Sequence, residues 1–260
     1  MAEEIFEKDI NALADLIVKS EKILVFSGAG ISTESGIPDF RSPGGFWTRF
    51  DPEDFTIQKF ISDENSRRKH WGAMTEGGLI TPDAKPNLAH YAIAELEEMG
   101  KLYGIVTQNV DGLHQKAGNS EDLVFQLHGD MSHARCLSCN DRYPMEEVME
   151  WVKQGEDVPD CRSCGGILKP DAVYFGESLP MEVLSESQYR AETCDMCIVL
   201  GSSLVVYPAA NIPVIASRSK ASLVIVNMEP TDMDHMAEFC IKSKAGEVMS
   251  RTMEKVREKA

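Results

Sequence analysis

Basic charge is scarce in this chain: 26 lysines and arginines stand against 42 aspartates and glutamates, for a formal net charge of −16. A protein that neutralises phosphates along a duplex needs a basic stripe, so nucleic acid is not expected as a specific ligand. The acidity favours approach by lysine-rich segments, as long-range steering, and keeps the chain soluble. Residues 1–9 carry four carboxylates and no apolar core of a secretory leader, so export is not expected. No membrane span is expected either. The longest uncharged stretch, 196–217, is interrupted by Gly201, Ser202, Ser203, Pro208, Asn211 and Pro213, which would leave a helix broken and polar in mid-membrane. A disulfide framework is also missing, since four of the seven cysteines fall in two spaced pairs. That arrangement favours a metal in a reducing, cytoplasmic compartment. There is no internal repeat and no low-complexity tract.

What is present reads as an α/β protein. At 260 residues the chain suits one large domain with insertions. Apolar runs of strand length recur at 23–26, 102–106, 123–127, 172–175, 197–200 and 223–226. Most are apolar at successive positions, the pattern of strands buried on both faces of a parallel sheet. Between them lie helical stripes. Ile10, Leu13, Ala14 and Ile17 form one, and Leu88, Tyr91, Ala92, Leu96 and Met99 form another that Gly100 closes. Residues 145–154 and 247–259 are further amphipathic helices. This alternation predicts a doubly wound, Rossmann-like parallel sheet over 1–43, 77–130 and 168–260. Two excursions, a helical insertion at 44–76 and a cysteine module at 131–167, would pack as a smaller domain. Ligands of such sheets bind at strand C-terminal ends, so the cleft is expected there.

The candidate chemistry clusters at those ends. The run 23–26 leads into Ser27-Gly28-Ala29-Gly30, where glycines could let backbone N–H groups approach a diphosphate. Thr33 stands where the dinucleotide fingerprint has its third glycine, so the loop alone reads equally as a generic glycine turn. Arg41 is the kind of residue that clamps a phosphate. The run 102–106 ends in Thr107-Gln108-Asn109-Val110-Asp111, either a polar ligand pocket or an Asn/Asp turn satisfying its own backbone. His128 follows the run 123–127 and precedes Gly129, a position suited to a base near neutral pH. Cys136, Cys139, Cys161 and Cys164 have the spacing of a four-thiolate zinc ribbon, which leaves no open coordination position, so that site is expected to be structural. Cys194 and Cys197 read as buried and inert, and Cys240 as a small core residue.

Read together, the stretch from Gly28 to Arg41 (Gly-Ala-Gly-Ile-Ser, then Ser-Gly-Ile-Pro-Asp-Phe-Arg), Thr-Gln-Asn-Val-Asp-Gly-Leu-His, the His-Gly pair and the four cysteines resemble the sirtuins, the NAD-consuming protein lysine deacylases. The resemblance spans nearly the whole chain and is to the prokaryotic type. It implies that Ala29, Thr33 and Arg41 contact NAD and that Phe40 packs near the nicotinamide ribose. It implies that Gln108 and Asn109 hold the ribose, Val110 and Asp111 the nicotinamide, with Asn109 and His128 catalytic and His128 the general base. Ser202, Ser203, Asn227 and, beside Lys244, Ala245 would serve the adenosine half. Val173, Phe175, Gly176 and Glu177 would hold the substrate, by strand addition to a peptide and by walls around the acyl-lysine.

The implied reaction is NAD-dependent deacetylation of acetyl-lysine in proteins or peptides, releasing nicotinamide and an O-acetyl-ADP-ribose, with NAD as co-substrate and one structural zinc. A nicotinamide-dependent oxidoreductase and a non-catalytic zinc-ribbon module are the alternatives. Relatives that take acidic acyl chains carry a Tyr-x-x-Arg pair, for which the matching stretch here is Trp71-Gly72-Ala73-Met74. The expectation is an acyl tunnel for short neutral chains, with Trp71 and Met74 beside it. Arg67 and Arg68 lie close enough in sequence to upset that.

Overall fold

The computed structural model describes residues 2–75 and 83–259. Helix α1 (Ala2–Lys19) leads into β1 (Ile23–Ser27) and a 3-10 helix over Ala29–Ser35. Short 3-10 turns at Phe46–Thr48 and Pro52–Phe55 precede α2 (Ile57–Ser62) and α3 (Glu64–Thr75). Then come α4 (Leu88–Glu98), β2 (Leu102–Thr107), α5 (Leu113–Ala117) and β3 (Val124–Gln126). The chain departs through β4 (Gly129–Cys136), β5 (Arg142–Pro144), α6 (Met145–Lys153) and β6 (Leu168–Ala172). It returns through α7 (Met181–Thr193), β7 (Met196–Leu200), α8 (Asn211–Arg218), β8 (Ser222–Val226), β9 (Phe239–Ile241) and α9 (Ala245–Lys259).

Six strands pair in parallel in the order β3-β2-β1-β7-β8-β9. This is the doubly wound order, and it reverses between β1 and β7. Every residue of both strands is buried, which is why their runs do not alternate with polar positions. Ile23 and Val25 face a core built with α1, α4 and α9, through Ile10, Leu13, Ile93, Leu96, Val248 and Met253. Leu24 and Phe26 point the other way, onto Ile212 and Ala216 of α8 and Ala191 of α7. Each such buried aliphatic contributes roughly 1.5–3 kcal/mol.

A second, antiparallel sheet has the order β5-β4-β6. Its core joins Met145 and Val148 of α6 and Leu168 of β6 to Trp71 and Met74 of α3. The helical insertion and the cysteine module therefore share one interior. Trp71 and Met74 are fully committed to it, not to an acyl tunnel, because a helix this polar buries the apolar residues it has. One other expectation is corrected. The strand expected at 172–175 lies at Leu168–Ala172 and pairs with β4, beyond the expected module edge at 167; Lys169 and Asp171 hide it from an apolar-run reading. The glycine loop runs into a 3-10 helix over Ala29–Ser35. Ser and Thr side chains there compete for backbone acceptors, as when Thr33 Oγ1 donates to Gly30 O at 2.9 Å, and a 3-10 helix results. After β7 the chain turns at Gly201 and Leu204, both at positive φ, and α8 begins at Asn211. The expected domain edge between 76 and 77 lies outside the described residues.

Candidate active site

The C-terminal ends of β1, β2 and β7 lie side by side, and their loops are tied to one another by backbone. Gly28 N donates to Leu200 O at 3.1 Å, Gly30 N to Gly201 O at 2.8 Å, and Gln108 N to Ser27 O at 3.0 Å. A Cβ on Gly30 would stand 2.8 Å from Gly201 Cα, so a side chain cannot enter this crossing. The glycines thus serve close packing of two loops at the point where the strand order reverses.

Side chains then fill the crevice. Gln108 Nε2 donates to Ser202 Oγ at 2.9 Å, bridging the β2 and β7 ends. Asn109, almost fully buried, donates through Nδ2 to Gly28 O at 3.1 Å and Ser32 Oγ at 3.2 Å. Ser32 Oγ in turn donates to Asp111 Oδ2 at 2.7 Å, and Leu113 N to Asp111 Oδ1 at 2.9 Å. Asn109 Oδ1 is left as an acceptor, and the Asp111 carboxylate keeps lone pairs for a further donor. Beneath them, Ser27 Oγ lies 2.8 Å from Thr107 Oγ1 and 2.9 Å from the buried His114 Nε2. Ser32, Ser27 and His114 escaped the sequence reading. Ser32 lies inside the motif, but only the fold shows which carboxylate it faces.

His128 stands after β3, with Nδ1 2.9 Å from Gln108 O. A carbonyl only accepts, so Nδ1 carries the hydrogen and Nε2 is the free basic atom. Burial lowers the His128 pKa below its ordinary 6.5, partly opposed by the Gln108 carbonyl, so the ring is neutral at neutral pH. His128 O accepts from Val173 N at 2.8 Å, joining the base to the segment after β6. There Glu177 N donates to Tyr174 O at 3.0 Å, and Gly176, at φ +87°, completes a tight turn. Phe175 is 45% exposed, and its ring packs 5.9 Å from Trp47, which also meets Phe40 at 5.6 Å. Phe40 and Trp47 therefore join the glycine loop to the turn at 173–177. Arg41 is exposed, and its backbone N–H and that of Ser42 donate to Asp39 Oδ1. Asn227, after β8, donates to Glu229 O at 2.7 Å, and Ala245 is buried at the start of α9. Glu34 of the glycine loop accepts from Gly246 N at 2.7 Å, which brings α9 to the same end of the sheet.

The four cysteines of the motif converge away from this crevice, their sulfurs all within 4.8 Å of one another. Cys136 and Cys164 approach to 3.5 Å, Cys139 and Cys161 to 3.6 Å. A zinc ion bound about 2.3 Å from each sulfur would set them about 3.8 Å apart, so the cage fits tetrahedral zinc. The Tyr143 hydroxyl, 3.3 Å from Cys161 Sγ, favours the thiolate there, and Ser138 N donates to Cys136 Sγ. Cys194 and Cys197 are buried, and desolvation pushes both thiols up, Cys194 to about 12, the state of an inert core thiol.

Residues 28–208 match the model of the Sir2 family. The chain belongs to the Sir2 family. Its relatives match end to end. An NAD-dependent protein deacetylase of Thermodesulfovibrio yellowstonii is 44% identical over 97% of both chains. An NAD-dependent protein deacylase 2 of Archaeoglobus fulgidus is 44% identical over 96% of this chain and 97% of its own. Among solved structures, a Sir2 enzyme at 44% identity superposes with a TM-score of 0.89, covering 98% of this chain and 100% of that one. A Sir2 alanine variant holding a deacetylated p53 peptide and 3'-O-acetyl ADP ribose superposes at 0.87, with 40% identity over 93% and 96% of the two chains.

Proposed function

We propose that this Sir2-family chain removes acetyl groups from lysine side chains of proteins or peptides with NAD as co-substrate, releasing nicotinamide and O-acetyl-ADP-ribose. The observation that carries the reading is the meeting of the Gly28–Gly30 loop, the Gln108–Asp111 turn and His128 at one switch point, on a chain whose full-length relatives are deacetylases. A related Sir2 structure with p53 peptide and NAD+ supports the same pairing of ligands.

NAD, when bound, would supply a glycosidic bond whose rupture frees nicotinamide and a ribose that receives the acetyl group, with one water consumed overall as the lysine amine leaves. The chain's own residues do the rest. Ser202, Ser203, Asn227 and Ala245 bind the adenosine half, Ala29, Thr33 and Arg41 the phosphates. Phe40 and Trp47 exclude water from the reacting end. Gln108 and Asn109 orient the ribose through the amide atoms that their bonds to Ser202, Gly28 and Ser32 leave free, and Asp111 and Val110 receive the nicotinamide carboxamide. His128 Nε2 takes the proton of a ribose hydroxyl, which its Nδ1–H bond to Gln108 O keeps aligned. Val173, Phe175, Gly176 and Glu177 form the turn that holds the acyl-lysine. Cys136, Cys139, Cys161 and Cys164 would hold zinc in a closed four-thiolate site, where it would tie the small sheet together.

We also read 1–43, 77–130 and 173–260 as the NAD-binding domain, and 44–76 with 131–172, the expected 131–167 extended to the end of β6, as the small one; the shared core of Trp71, Met74, Val148 and Leu168 supports the second grouping. No described helix is long and apolar enough to cross a membrane. Acidic charge and unpaired thiols suit a cytoplasmic enzyme acting on basic partners, without nucleic acid. The assay is direct. With NAD and an acetyl-lysine peptide, nicotinamide should appear in step with deacetylated peptide; reduction of NAD without nicotinamide release would make the protein an oxidoreductase, and no turnover would leave a binding module.

A further inference from the structure

Lys169 is a charged residue in the interior of the molecule, with its side chain only 7% exposed. It lies on β6, and its ammonium reaches forward to the substrate turn. Nζ donates to Pro170 O at 2.9 Å and Ala172 O at 2.5 Å, and meets Glu177 Oε2 at 3.0 Å. An ammonium has three donors, and each has an acceptor here. The Tyr174 ring lies 4.2 Å from Nζ, a cation–π contact on a remaining side. Burial pushes the Lys169 pKa down, and the Glu177 carboxylate opposes that shift. The same Glu177 oxygen accepts from Tyr174 N at 2.7 Å. Glu177 therefore points its carboxylate inward, behind the turn, and not at a ligand. Tyr174 is itself held by the helical insertion, its hydroxyl bonded to Nε2 of the fully buried His70 on α3. Phe175 N donates to Phe55 O at 3.2 Å and its O accepts from Ile57 N at 3.0 Å.

We infer that Lys169 is a positioning residue for the acyl-lysine substrate: through Glu177 it fixes the turn at 173–177, and so sets the affinity for the acylated peptide without touching NAD. The inference rests on the reading of that turn as the substrate holder. The physical argument is the rigidity of the arrangement. A turn with one backbone N–H held by a carboxylate, itself held by a saturated ammonium, has one conformation. With the ammonium removed, Glu177, whose side chain is 25% exposed, is a half-buried charge without its cation and turns toward water, releasing Tyr174 N.

Three variants test this on the full-length protein with an acetyl-lysine peptide: Lys169→Met, the double variant Lys169→Met/Glu177→Gln, and Phe175→Ala. Lys169→Met should raise the peptide KM about tenfold, as expected for one lost charge-assisted bond, with the NAD KM changed less than about twofold. It should also lower Tm. The double variant removes the stranded charge, so Tm should recover, while the peptide KM stays high. If the peptide KM returned to its original value along with Tm, Lys169 would be a stability residue and the inference would fail. It would fail alone if Phe175→Ala raised the peptide KM and neither Lys169 variant did. If Phe175→Ala and both Lys169 variants all left the peptide KM unchanged, the reading of the turn itself would fall, and the inference with it.

Discussion

One wall of the cleft is made by strand ends of the parallel sheet, the other by the turn after β6 together with the insertion and the small sheet. The first is held by backbone: Gly28, Gly30 and Gly201 cross with no side chain between them, and the strands behind are buried on both faces. The second is held by side chains, the pairs Lys169–Glu177 and His70–Tyr174, and by a metal cage at the far end of the small sheet. A backbone-built wall is insensitive to most substitutions and suits a ligand that does not vary, such as a dinucleotide. A wall built from side chains can be retuned one residue at a time, which suits a variable peptide and acyl chain. His128 joins the two, donating from Nδ1 to Gln108 O of the first and accepting at its own carbonyl from Val173 N of the second.

Metal removal is the harshest way to break that comparison, because it strikes only the second wall. Cys161→Ser should lose zinc and, through an expected loss of at least about 3 kcal/mol, lower Tm by roughly 6–12 °C. NAD should still bind, since no strand of the large sheet depends on the cage, while peptide turnover falls. Cys194→Ser should leave zinc content in place. Full zinc in the Cys161 variant by elemental analysis would remove that cysteine from the cage.

Next in size is the residue between the walls. His128→Ala should lower kcat about 10²–10⁴-fold while NAD and peptide both still bind, because the contacts to each lie elsewhere. Wild-type turnover in the nicotinamide assay would sink the assignment. The pH profile sharpens it. The base acts when neutral, and its pKa is lowered, so the acidic limb of kcat/KM should lie below 6.5. A limb above that value would point to another group.

Acid should loosen both walls at once. His114 under the first and His70 in the second are fully buried and held neutral by desolvation, each with its pKa pushed down from 6.5 to about 3. Between those values the unfolded chain binds protons that the folded chain does not, so stability falls as pH falls, by up to about 3 kcal/mol per pH unit for two protons. Denaturant midpoints measured from pH 7 to pH 5 should decline accordingly, and His70→Phe/Tyr174→Phe, which removes both polar partners, should flatten the slope. An unchanged slope would mean that His70 is not the group being titrated.

The same contrast explains how much the sequence shows. The first wall was legible: buried parallel strands read as apolar runs, and Gly28 to Arg41, Gln108 to Asp111 and His128 fall at their ends. The cysteine cage was legible from spacing. The second wall was not. Its strand, Leu168–Ala172, contains a lysine, a proline and an aspartate, whose burial depends on partners distant in sequence or across a turn. His70 and Tyr174 are 104 positions apart, and no periodicity links them. Glu177 was expected to meet substrate, and only the position of Lys169 shows where its carboxylate goes.

The smallest expected effect concerns the acyl chain, and it depends wholly on the second wall. Trp71 and Met74 lie in the small core, so they neither line a tunnel nor exclude an acidic chain. The arginines decide the matter. Arg67 Nη1 donates to Phe60 O and Ile61 O at 2.9 and 3.0 Å, closing the end of α2. Arg68 pairs with Glu64 at 2.9 Å and reaches Asp157 at 3.6 Å on the outer face of the module. Lys169, the nearest cation to the turn in sequence, has all three donors engaged. A succinyl carboxylate placed against Phe175, Trp47 and Phe40 would therefore be desolvated with neither Arg67 nor Arg68 turned to receive it. Acetyl- and succinyl-lysine versions of one peptide should differ at least about tenfold in kcat/KM in favour of acetyl, the equivalent of about 1.4 kcal/mol. Equal rates, or a preference for succinyl that Arg67→Met abolishes, would show that Arg67 leaves the α2 carbonyls to bind the carboxylate.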